Sequence, residues 1–135
     1  MESAAEVGRR AAERLKASGV RTDVRQLAER MGIEVVVQAA PPPAQPGLRS
    51  EYQPSPPRII VYRQAIAALS AKRRAGGHGE SLTCDLEEVH LAHEIFHHLE
   101  AEEGLCLRDR GEAEEAAHAF AQELLGLPFD PSELA

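Results

Sequence analysis

The stretch Val89–Gly104, VHLAHEIFHHLEAEEG, holds four of the chain's six histidines within nine residues. Inside it, His93-Glu94-Ile95-Phe96-His97 forms an H-E-x-x-H pattern. On a helix, positions four apart lie about 40° apart around the axis, so two imidazoles on adjacent turns can converge on one ion. Glu94 follows His93 directly and leaves that line, so it can hold a water beside the ion without being a ligand. This spacing suits zinc-dependent hydrolysis. The alternative is a histidine-rich helix with a chance pattern, and a third ligand is what separates the two.

Working outward on the same helix, Val89, Leu91, Ala92, Ile95, Phe96 and Leu99 make a broad apolar arc, with His93 and His97 at its edge. Paired imidazoles there are costly to desolvate unless a metal or hydrogen bonds take them. The last helical segment, EAEEAAHAFAQELL, supplies the third candidate. Its Glu114 falls among Ala117, Ala121 and Leu125 on the apolar side, whereas Glu112, Glu115 and Glu123 fall on the other. A carboxylate on an apolar face needs a partner or a metal. His93, His97 and Glu114 are therefore the expected ligands of one zinc ion per chain, with a fourth position left open as in catalytic sites. Glu94 is the expected general base. His118, four residues past Glu114, is expected to line the site as an outer partner of the metal or as a donor to the oxyanion. Tyr52 and Tyr62 are the other candidate donors. His90 shares the stripe of His97 and is expected to be partly exposed. His98 points away from the pair, His78 lies in a glycine-rich loop, and neither is given a role.

The chain's 135 residues amount to one domain, residues 1–135, with a core of Ala, Leu, Val and Ile because aromatics make up only 4%. No run approaches the roughly 20 apolar residues of a membrane span, and the charged start MESAAEVGRRAAERL has no apolar signal segment. Cys84 and Cys106 are too few for a disulfide framework and are expected to be reduced and buried, which makes the cytoplasm the expected address. Net charge is −7, unevenly spread: residues 80–135 carry fifteen Asp/Glu against two Lys/Arg. An acidic half favours cations and repels nucleic acid.

The coarse organisation is α+β. Helices are expected over Ala4–Ser18, within TDVRQLAERMG (capped by Thr22 or Asp23), over Gln64–Ala75, over about 85–103 with Asp85 as cap, and over about 112–126. IEVVVQ and RIIVYR are strand signals, and LRSEYQ is a further pairing segment behind a proline-rich loop; together they are expected to form a small antiparallel sheet. DVRQLAERMGI resembles the opening of a helix-turn-helix unit, but a strand and a proline run follow it instead of a recognition helix, so no direct nucleic-acid binding is expected.

LAHEIFHHLE followed by EEAAHAFAQELLGLP resembles the ImmA/IrrE family of bacterial metallo-endopeptidases. That family's second motif, E-x-x-A-x-x-F-A-x-x-L-L, is matched by Glu114, Ala117, Phe120, Ala121, Leu124 and Leu125. Phe96 stands where the family often has glycine. By the resemblance, His93, His97 and Glu114 carry over as zinc ligands and Glu94 as general base. It further implies a minimal zincin-like domain, a small sheet packed on the active-site helix with further helices around it. The implied activity is cytoplasmic zinc-dependent cleavage of a helix-turn-helix repressor that controls stress or mobile-element genes. In such enzymes an edge strand aligns the extended substrate, here LRSEYQ or RIIVYR. A reading from another class is a zinc-binding regulatory domain that acts by protein contact and cuts nothing.

Overall fold

A computed structural model describes residues 2–18, 23–75, 86–105, 107–127 and 130–134. Five helices and three strands follow in the order α1 (Ala4–Ala17), α2 (Val24–Arg30), β1 (Glu34–Gln38), β2 (Ser50–Pro54), β3 (Pro57–Tyr62), α3 (Arg63–Ala75), α4 (Leu86–Glu103) and α5 (Arg110–Leu125). A short 3₁₀ turn, Pro131–Leu134, closes the described chain. The architecture is α+β.

Local chemistry sets the ends of these elements. Asp23 caps α2 by accepting from the Gln26 N–H. Gly32, just past that helix, has φ +79°, a conformation glycine adopts without a side-chain clash. Gly104 does the same after α4 at φ +62°. Helix α5 starts two residues earlier than the sequence pattern suggests. Asp109 accepts from Glu112 N at 2.9 Å, and the Glu112 carboxylate takes the Arg108 guanidinium at 2.8 Å. Asp85, Thr22, His78, Cys84 and Cys106 lie outside the described residues.

The sheet is mixed rather than antiparallel. Its order is β1-β3-β2, with β1 parallel to β3 and β2 antiparallel to it. Two features of the chain account for this. A tight turn at Ser55–Pro56 commits β2 to an antiparallel hairpin with β3. In segment 39–49, Pro41, Pro42, Pro43 and Pro46 have no N–H to pair with β1, and the segment carries the chain across one end of the sheet to the far edge. The most apolar strand, β3, takes the middle, with Ile59, Ile60, Val61 and Tyr62 all buried.

Register then decides which β2 side chains meet α4. Ser50 pairs with Val61, and Tyr52 with Ile59. Directly opposed residues share a face of the sheet, and Ile59 and Val61 belong to the main core. Ser50 and Tyr52 therefore point at α4, while Glu51 points away and takes the Tyr62 hydroxyl at 2.8 Å.

Helix α4 is the axis of the fold, packed against β2, β3, α2, α3 and α5. Its Phe96 is fully buried against Phe120 of α5, with ring centroids 5.6 Å apart. A phenyl at position 96 thus fills the space between the two helices that carry His93, His97 and Glu114. Helix α1 covers the opposite side of α5.

Candidate metal centre

Helices α4 and α5 bring His93, His97 and Glu114 together. His93 Nε2 stands 2.8 Å from Glu114 Oε2, His97 Nε2 stands 3.2 Å from Glu114 Oε1, and the two imidazole Nε2 atoms are 3.2 Å apart. Glu114 is half-buried and Glu115 exposed, so the helix has the rotation that its apolar face implies. His118 joins the group from one turn further along α5. Its ring centroid is 4.7 Å from that of His93, and one donor atom each from His93, Glu114 and His118 fall within 4.8 Å of one another.

Electrostatics bind the cluster. The hydrogen bonds from His93 and then His97 hold the Glu114 carboxyl far below the usual carboxylate range, so it is ionised. Burial works against a charged His97, but the bond to Glu114, the charge of Glu94 and the bond to Glu100 together raise its pKa. His118 goes the other way: burial, then the neighbouring His93, pushes its pKa down.

The donor set fits a metal ion. Ligand atoms held about 2.0–2.1 Å from one zinc in a tetrahedral site are roughly 3.3 Å from each other, close to the spacings seen here. The outer contacts also fit. Glu100 Oε1 lies 3.3 Å from His97 Nδ1, and because a carboxylate only accepts, it holds that proton, so that a bound metal would take the place of the Nε2 proton that here faces Glu114. His93, Glu114 and His118 form a group that could hold a metal ion. His97 is not one of that group, although its Nε2 stands 3.2 Å from both His93 Nε2 and Glu114 Oε1.

A cavity of about 800 Å³ opens on the cluster. His93, Glu94, His97, Glu114 and His118 all line it, as do Ser50 and Tyr52. Glu94 is only 6% exposed, and its Oε2 accepts from Ser50 Oγ at 2.7 Å. One carboxylate oxygen is thereby fixed.

Of the three candidate oxyanion donors, Tyr62 is not at the site, because its hydroxyl is spent on Glu51 across the sheet. Tyr52 lines the cavity, and its hydroxyl meets His98 Nδ1 at 2.8 Å. His98 does point away from the His93–His97 pair, yet it is only 6% exposed and anchors Tyr52 rather than standing idle. His90 is half-buried on the cavity wall. Its Nδ1 donates to the Leu86 carbonyl at 2.8 Å, and burial lowers its pKa to about 4. Of the two strands proposed to align a substrate, β3 is central and paired on both sides. Only β2 presents an edge beside the cavity.

Ser50, Glu100 and the Tyr52–His98 pair were not identified from sequence. Glu100 had a usable signal, three residues past His97 on the same helix. Tyr52 was a candidate donor on its residue type alone, but its pairing with His98 and the place of Ser50 had no signal, because both depend on strand register.

Comparison with protein-family models, with curated proteins and with solved structures gives no match. Among the described residues, no helix is long and apolar enough to cross a membrane.

Proposed function

We propose that this chain is a zinc-dependent endopeptidase, with His93, His97 and Glu114 as metal ligands and Glu94 as general base. The observation that carries the reading is the buried Glu94 carboxylate, held by Ser50 beside a three-donor cluster on the wall of one cavity. A site that served only to hold a metal would need neither the cavity nor a carboxylate kept out of the ligand set.

When bound, the metal supplies a Lewis acid that polarises a carbonyl and acidifies water. The chain's own residues do the rest. The substrate lies extended along the open edge of β2, whose backbone groups pair with it as a further strand. Glu94 takes a proton from the attacking water at Oε1 while Ser50 holds Oε2 still. As the new C–O bond forms and the C–N bond breaks, Glu94 returns that proton to the leaving amine nitrogen. The Tyr52 hydroxyl, anchored by His98, donates to the oxyanion. The resemblance of the two helix motifs to the ImmA/IrrE family supports a helix-turn-helix repressor as the substrate.

The test is to incubate the zinc-loaded chain with a helix-turn-helix repressor and follow cleavage by mass spectrometry. Cleavage is expected from the native chain and not after chelation. Glu94→Gln is expected to keep its zinc and cut nothing. A Glu94→Gln chain that still releases the repressor's target genes in cells would mean that the domain acts by protein contact instead.

A further inference from the structure

His118 sits where a bystander would be costly. Its Nδ1 is buried and has no hydrogen-bond partner among the described residues. An unsatisfied buried polar atom costs about 1–3 kcal/mol, so its environment asks for a partner that the described protein groups do not supply. An outer partner of the metal would be expected to bond to one of the ligands, and His118 makes no such bond. Instead its ring lies tilted 51° against the His93 ring, with a nitrogen inside the cluster formed by His93 and Glu114.

We propose that His118 is a fourth metal ligand beside His93, His97 and Glu114, so that a bound ion would be closed off by protein side chains at rest and the His118 ring would have to turn away for substrate and water to reach it. This rests on the metal-centre reading above and adds a regulation to it. Three imidazoles and a carboxylate would supply all four ligands, as in closed structural sites rather than open catalytic ones. The two arrangements share His93, His97 and Glu114 and differ in one side chain. His118 is on α5 at the cavity wall, so a ring turned off the metal has space to enter. Only a substrate that also pairs along β2 gains enough binding energy to compete with an imidazole already in place. The expected behaviour is a latent enzyme, slow on short peptides and released by extended ones.

The experiment uses the full chain loaded with Co(II) in place of zinc. Imidazole ligands give exchangeable N–H resonances shifted far outside the normal proton range, so the ligating histidines can be counted in the native protein. Three such signals are expected. Two would overturn the proposal while leaving the endopeptidase reading standing, and failure to bind Co(II) or zinc at all would overturn both. In parallel, His118→Ala and His118→Gln should each change the visible Co(II) spectrum. They should also bind acetohydroxamate more tightly, by about tenfold or more. Spectra and acetohydroxamate affinity equal to those of the native chain in either folded variant would also overturn it.

Discussion

Helix α5 meets its two neighbours in opposite ways. Toward α1 the contact is backbone against backbone: a methyl group added at Gly8 would reach within 2.0 Å of the Ala116 carbonyl oxygen. Toward α4 the contact is side chain against side chain, with Phe120 against Phe96 and then Glu114 and His118 against His93 and His97. Ala116 lies two residues from both Glu114 and His118, nearly half a turn around the helix. The first seam is apolar and close enough to fix how α5 is rotated and how far it slides. The second uses that fixed position to aim polar groups. A metal centre would tolerate errors of only a few tenths of an ångström, and anchoring the opposite face of α5 supplies that precision.

The sharpest contrast comes from variants that break one seam's purpose and spare the other. Glu94→Gln leaves both seams packed and is expected to lower peptide cleavage by about 10²–10⁴-fold, the range for loss of a general base, with zinc content and urea midpoint unchanged. Gly8→Ala is the reverse. Alanine favours a helix over glycine by about 1 kcal/mol, but the clash at Ala116 should outweigh this and destabilise the fold by about 1–3 kcal/mol. Urea unfolding measures it as a lower midpoint at constant slope; a stabilised variant would mean that the α1–α5 approach is looser than described. Ser50→Ala should cost about tenfold in kcat, about 1.4 kcal/mol of barrier, with zinc retained. An unchanged kcat would show that Glu94 is positioned without its hydroxyl partner. The smallest effect is expected at the solvent end of the α1–α5 seam. There Lys16 and Glu123 pair at 2.7 Å with both side chains partly exposed, and Glu123→Ala should cost less than about 1 kcal/mol.

These two seams were not equally legible in the sequence. The α4–α5 seam could be read because its signals are local. His93 and His97 are one helical turn apart, and Glu114 is set against the apolar periodicity of its own helix. The close approach at Gly8 was invisible, since a single glycine inside a helix does not say which neighbour it admits. Strands were found where β-branched residues cluster, but not how they pair. Placing β3 between β1 and β2 depends on a hairpin turn and a proline-rich crossing whose joint effect is non-local. That arrangement removed Tyr62 from the site, made β2 the only usable edge there, and carried Ser50 to Glu94 across 44 positions of sequence. Glu100, in contrast, was within reach of helix spacing alone.

The central claim is that the α4–α5 seam is a metal centre with Glu114 as a protein ligand. Zinc per chain, measured by elemental analysis on protein purified and exposed to stoichiometric zinc, tests it most directly when native, Glu114→Ala and Glu115→Ala chains are compared. The account predicts about one zinc for the native chain and for Glu115→Ala, and a loss of most of it in Glu114→Ala. Equal zinc in all three chains, or loss in Glu115→Ala alone, would contradict it.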